Sequence, residues 1–238
     1  MKSKYKRIVL KLSGEVVSGK QGFGFSTTSL NYLIQEIKDA TDTDVEIGIV
    51  VGGGNIFRGK KSFRKLSIDR VRADYIGILS TLINSIIIQN LLESSGISSS
   101  VMSVIDVGGF AEPFSVKKAK QYLKQKYIVI FACGTGNPFF TTDTSAVLKA
   151  IETEAELLLK GTKVDGIYDK DPLNYKNAKF YSRVSYDFAL ENHLQIMDST
   201  AFSLAMENKV KIIVFNILKK GNLKGVLEGK DIGSTITD

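Results

Sequence analysis

The sequence predicts an α/β fold, a mainly parallel sheet sandwiched by helices. Three observations carry that expectation. Short apolar runs rich in Val, Ile and Leu alternate with helix-periodic segments along the whole chain. Several runs lack polar alternates, as strands buried on both faces do. Glycine-bearing loops follow three of them, at the strand ends where such sheets bind ligands. With 238 residues, 43% of them hydrophobic, the chain can build a substantial core in one domain or two closely fused lobes. No internal repeat, low-complexity tract or linker breaks it.

The first strand, Arg7–Leu12, has an apolar interior and ends near Lys11. A lysine there is costly to bury unless an anion meets it, although a solvent-pointing lysine on a strand end is equally common. Ser13-Gly14 follow, and Gly14 with Gly19-Lys20 has the spacing of a P-loop. Gln21 stands where a hydroxyl should ligate magnesium and Glu15 adds negative charge to the cradle, so a P-loop is rejected, even with Val101–Asp106 as a Walker B candidate. Leu30, Leu33, Ile34 and Ile37 then mark one stripe of a helix. The strand Val45–Val51 ends in Gly52-Gly53-Gly54-Asn55, followed by Arg58. Successive glycines let backbone N–H groups face an anion, and arginine can clamp phosphate oxygens. A dinucleotide fingerprint is excluded, because Phe57 occupies the third glycine position.

A long helix is expected over Arg70–Glu93, with Ile76, Leu79, Ile83, Ile86 and Ile87 as its buried face. Leu82, Ile88, Leu91 and Leu92 make it apolar on a second face, which a subunit contact would cover. Strand Ser100–Ile105 and helix Val116–Lys124 follow; Lys117, Lys118, Lys120, Lys124 and Lys126 read as a solvated face. Strand Tyr127–Ala132 leads into Thr135-Gly136-Asn137-Pro138-Phe139-Phe140-Thr141-Thr142-Asp143, ahead of a helix. An ordinary turn with Asp143 as N-cap explains the breakers, but not two phenylalanines in a loop that should be polar. Converging hydroxyls, amides and a helix N-terminus suit a phosphate or oxyanion site. The remainder reads as strand Leu157–Lys160, a loop Lys163–Pro172 with hairpin potential, helix Thr200–Glu207, strand Ile212–Phe215, helix Leu223–Leu227 and strand Ser234–Thr237.

The formal net charge of +7 suits anionic substrates. Apart from Lys2, Lys4, Lys6 and Arg7 the basic residues are scattered, and no nucleic-acid module is recognisable, so a regulatory role on DNA is not expected. The single cysteine, Cys133, excludes an internal disulfide and favours a reducing compartment. No signal-peptide pattern is seen, and the apolar stretches read as too short or too interrupted to span a bilayer. A soluble cytoplasmic protein without a membrane partner is expected. His193, the only histidine, falls outside every candidate site, so histidine acid–base chemistry is not expected.

Taken in order, Lys11-Leu12-Ser13-Gly14, Gly52–Asn55 through Arg58, Asp74, Thr135–Asp143, and Thr162 through Tyr168 to Asp171 resemble the bacterial UMP kinases, or uridylate kinases, of the amino-acid kinase fold. The resemblance runs from about Tyr5 to Ile236; the segment Gly59 to Asp69 departs by being about one residue longer and more basic. It implies one domain over residues 1–238, with an acceptor-binding N-terminal lobe and an ATP-binding C-terminal lobe. It implies transfer of the γ-phosphoryl of ATP to UMP, with Mg2+ held mainly by ATP phosphates and no protein metal site. Lys11 and Arg58 would meet the transferring group, supported by Leu12, Ser13, Gly14 and Gly54, and Asp198 would orient Lys11. Thr162, Tyr168 and Asp171 would line the ATP pocket. Gly53, Asp74 and Thr135 to Thr142 (Gly136, Asn137, Pro138, Phe139, Phe140 and Thr141 between) would bind UMP, with Asp74 on the sugar. Taken singly, Asp198 could be a helix N-cap and Asp171 a turn starter. Gly19, Lys20, Gln21, Gly22, Phe23 and Gly24 resemble a loop tied to GTP activation; UTP would be a second effector, and the assembly a homohexamer. The alternatives are another phosphotransferase of this fold, or a non-catalytic nucleotide-binding or regulatory protein.

Overall fold

The computed structural model describes residues 2–57 and 67–238. The first strand, β1 (Arg7–Leu12), runs into a short helix α1 (Gly14–Ser18) and then α2 (Thr27–Thr41), which Ser26 caps by accepting a hydrogen bond from the Ser29 N–H. Strand β2 (Glu46–Val51) precedes the long helix α3 (Arg70–Ser94), capped by Asp69. Next come β3 (Ser99–Ser103), β4 (Glu112–Pro113), α4 (Val116–Lys124), β5 (Ile128–Ala132) and α5 (Thr142–Glu152). The last part holds β6 (Leu157–Thr162), β7 (Ile167–Tyr168), β8 (Phe180–Tyr181), β9 (Arg183–Ser185), α6 (Tyr186–Glu191), α7 (Ser199–Glu207), β10 (Ile212–Asn216), α8 (Asn222–Leu227) and β11 (Ser234–Thr237).

Nine strands form one sheet in the order β4-β3-β5-β2-β1-β6-β10-β11-β9, and β7 and β8 form a separate antiparallel hairpin. Every pairing in the large sheet is parallel except β10 with β11. The central strands are buried along their length, which is why they read as continuous apolar runs. Alternate residues feed two cores: Ile8, Leu10 and Leu12 join Leu33 and Ile37 of α2 and Leu223 of α8, while Val9 joins Val147 of α5 and Phe202 of α7. Each wholly buried Leu or Ile contributes roughly 1.5–3 kcal/mol.

The expected buried face of α3 is corrected. Ile86 and Ile87 do pack against the core, but Ile76, Leu79 and Ile83 are exposed, and Leu82, Ile88 and Leu92, expected on a subunit-facing side, are in the core beside buried Ser80, Thr81, Asn84 and Ser85. The inner face is small and polar because it presses on the loop after β2: a Cβ on Gly53 would sit 2.7 Å from the Ser80 Cβ. By length and composition α3 is also apolar enough to cross a membrane, contrary to the sequence reading, but with this inner face it is a core helix.

Candidate active site

Strands β1 and β6 each read three apolar residues and then lysine, and the register pairs Lys11 with Lys160. Two ammonium groups opposite one another on a buried face repel, so something must separate them. That group is Asp143, from the first turn of α5. Its Oδ1 lies 2.7 Å from Lys11 Nζ and its Oδ2 2.7 Å from Lys160 Nζ. Lys160 also donates to the carbonyl of Ile196 at 2.5 Å. Burial opposes charge on Asp143, but the two ammoniums prevail and hold its carboxyl down to about 2. Burial pushes the Lys160 ammonium below its usual range.

Asp143 was expected at most as an N-cap, and Lys160 only as a strand end. The cap is Thr141, whose hydroxyl oxygen accepts from the N–H groups of Asp143 and Thr144. The partner expected for Lys11 was Asp198, and this is corrected: Asp143 makes that contact. Asp198 caps α7 by accepting from the Ala201 N–H, and it receives the hydroxyls of Thr141 and Thr144, so it fastens the starts of α5 and α7 together. A repeated apolar-apolar-apolar-lysine ending on two strands is the sequence signal that could have found Lys160.

On the α3 side lies a cavity of about 300 Å³. Its lining includes Gly53, Asp74, Thr135, Asn137, Phe140, Thr141 and Thr142, all expected at an acceptor site, together with Gly54, expected beside the transferring group. Gly136, Pro138 and Phe139 belong to the same loop but do not line it. The loop is shaped by left-handed backbone at Cys133, Gly134, Gly136 and Phe139. For Phe139, at φ 72°, that conformation is strained by roughly 1–3 kcal/mol. Asp74 holds it: the Phe139 N–H donates to Asp74 Oδ2 at 2.9 Å, Arg70 Nε to the same oxygen at 2.8 Å, and the Arg70 guanidinium lies over the Phe139 ring. The exposed Phe139 ring is therefore a shelf for Arg70, and Phe140 is the ring that faces the cavity.

The glycine turn after β2 is fixed from three sides. A Cβ on Gly14 would meet Asn55 Oδ1 at 2.5 Å, so the approach of α1 to this turn requires glycine. Asn55 and Asn84 are fully buried and exchange amide hydrogen bonds of 3.1 and 2.7 Å, and Asn84 Nδ2 donates to the Gly52 carbonyl. Asn55 also exchanges bonds with Gly24, receiving its N–H at the carbonyl and donating Nδ2 to its oxygen. Residues Gly19–Gln21 are a 3-10 turn after α1, a geometry unlike a phosphate cradle, and Lys20 and Phe23 face solvent. Leu12 is buried, and Ser13 precedes α1 without a side-chain cap bond. Arg58 lies outside the described residues.

A second cavity, of about 470 Å³, opens beyond β6 and is lined by Thr162, Tyr168 and Asp171 as expected for a nucleotide pocket. Asp171 also starts a turn, accepting from the Leu173 N–H at 2.9 Å and from Asn174 Nδ2 at 2.6 Å. His193, expected outside every site, lines this cavity with Gln195 and Ile196; this too is corrected. Ile196 is the residue whose carbonyl holds Lys160, while Thr141 and Thr142 adjoin Asp143. The lysine pair and its carboxylate therefore stand between residues that line the two cavities, Ile196 on one side and Thr142 on the other.

Two cavities on an α/β sheet with paired cations between their linings suit a small-molecule kinase, and the chain belongs to the amino acid kinase family, whose pattern matches residues 6–216. Its relatives place it among the uridylate kinases of that family. It is 43% identical to a uridylate kinase of Campylobacter jejuni over 94% of each chain. It superposes on the crystal structure of UMP kinase from Bacillus anthracis with a TM-score of 0.94 and 37% identity, over 98% of this chain and 96% of that one. UMP kinase from Ureaplasma parvum gives a TM-score of 0.91 and 34% identity over 99% and 100% of the two chains.

Proposed function

We propose that the protein transfers the γ-phosphoryl of ATP to UMP, giving UDP and ADP, with a division of labour set by the two cavities. The carrying observation is the single carboxylate that holds two lysines between the residues lining them. Two polyanions must approach one another, and an already ionised phosphate acceptor needs no general base. Lys11 and Lys160 neutralise charge that develops on the transferring group, and Asp143 keeps both in position. Asp198 is a positioning residue that fixes the start of α5 through Thr141 and Thr144. The cavity with Asp74 and Phe140 takes UMP, and the one with Thr162, Tyr168 and Asp171 takes ATP, as acceptor and donor lobes of one domain. Arg58, by the resemblance, adds a further cation.

Among the described residues no group of three or more His, Cys, Asp or Glu is arranged to hold a metal ion. Both oxygens of Asp143 already face ammonium groups. Mg2+ would therefore be held by ATP phosphates and water, and it would shield their charge.

Three further readings rest on family resemblance together with surface features. The exposed Val71, Tyr75, Ile76, Leu79 and Ile83 on α3 suit a second copy of the chain within a homohexamer, which light scattering tests. Phe23 and Lys20, tied to the glycine turn through Gly24 and Asn55, suit GTP as an effector, with UTP as a second; rates across a UMP titration with and without each nucleotide test this. The compartment is the cytoplasm.

ADP release measured with UMP, CMP, dUMP and acetylglutamate side by side tests the activity. UMP should give the fastest turnover. Acetylglutamate in that place would favour another kinase of the fold, and silence with all four would favour a non-catalytic protein.

A further inference from the structure

A third cavity, of about 560 Å³, shares no lining residue with either of the others. It sits where β10 begins, on the opposite sheet face from the ATP pocket: Ile213 lines it, while its neighbour Val214 lines the other. Its walls bring in four cations, Lys4, Arg183, Lys211 and Lys230, against one carboxylate, Asp231.

The charges there are poorly compensated. Lys230 is paired with Glu228 at 2.9 Å, but Arg183 and Asp231 are 4.0 Å apart and almost fully solvated, a contact worth little. Lys211 donates to the Tyr5 hydroxyl at 3.2 Å, and among the described residues no carboxylate lies within ion-pair distance of Lys211 or Lys4. A neighbouring basic hollow shows the contrast. There Lys6, Arg7, Lys120 and Lys124 share the lining with Glu154 and Glu156; Lys120 is paired with Glu154 at 2.6 Å, and Arg7 with Glu46. Counting Glu46 and Glu228 as the partners of Arg7 and Lys230, that hollow sets three carboxylates against four cations, and the larger cavity sets two against four.

Concave walls of one sign focus potential and concentrate a counter-ion of matching charge. An arginine and three lysines lining one small-molecule-sized space match several phosphate groups on one compact ligand, not the extended track a nucleic acid strand would need. We propose that this cavity binds a small oligophosphate, two or three linked phosphoryl groups, at a site separate from the phosphotransfer centre.

Calorimetric titration of the full chain with inorganic tripolyphosphate tests the site, using the wild type, Lys11→Ala, and the double variant Lys4→Gln with Lys211→Gln. The expected result is a binding event that Lys11→Ala retains, that the double variant weakens at least tenfold, and that added KCl weakens progressively. Arg183→Gln, on an exposed side chain, should weaken it in the same direction and replaces the double variant if that one melts early. No heat at millimolar tripolyphosphate, or binding that only Lys11→Ala removes, would overturn the proposal.

Discussion

The two ends of β1 solve the same problem differently. At its start, buried Arg7 faces Glu46 across the β1–β2 register, with Nε and Nη2 at 2.7 and 2.6 Å from one carboxylate oxygen, and Nη1 donates to the Thr153 carbonyl. One cation meets one anion, and a backbone carbonyl takes a further donor. At its other end, Lys11 and Lys160 divide one carboxylate, leaving a net positive charge beside two cavities. A balanced buried pair closes a structure, whereas an unbalanced one waits for an anionic substrate. On the proposed function, the contrast separates residues that hold the fold from residues that act.

The largest expected effect breaks the closed end. Arg7→Ala leaves Glu46 buried without its cation, and should lower unfolding free energy by about 3–5 kcal/mol in denaturant titration. Turnover per folded molecule should stay near wild type, since Arg7 is remote from both cavities. Lys11→Ala should do the reverse. Asp143 keeps Lys160, so the fold should hold, while kcat falls about 10²–10³-fold because the lost charge acts mainly in the transition state. Near-normal turnover in folded Lys11→Ala would erase the distinction between the two ends. The smallest effect is acid sensitivity. The folded pKa of Asp143, about 2, lies below its unfolded value of 3.8, so the folded state binds fewer protons. The stabilisation is complete above pH ~4, disappears as pH falls through 2, and amounts to about 2 kcal/mol. Unfolding measured across that window should lose this increment in wild type and less of it in Lys11→Ala.

The sheet was legible because its strands are buried on both faces and bounded by glycine. Arg7–Leu12, Val116–Lys124 and Ser234–Thr237 match their observed spans, whereas the hairpin expected within Lys163–Pro172 has only its first strand there, Ile167–Tyr168, and its second further on at Phe180–Tyr181. The face of α3 was misread because apolar periodicity favours bulk, whereas close approach to a glycine turn selects small side chains. Thr81 illustrates this: its hydroxyl oxygen accepts the Cys133 N–H at 2.9 Å, a contact that Ile or Leu could not make. The Lys11 partner was misassigned for another reason. Asp143 and Asp198 are both acids at a helix start; the β1–β6 register sets the lysines side by side, and only the tertiary contacts reveal which acid they face.

Cys133 gives the acceptor loop a built-in clock. It is the chain's single thiol, it is fully buried where β5 turns into that loop, and burial pushes its pKa up. A thiol so placed is inert to alkylation until the strand end parts from α3. The rate of labelling by a maleimide therefore counts how often the closed arrangement opens, converting one side chain into a gauge of local breathing.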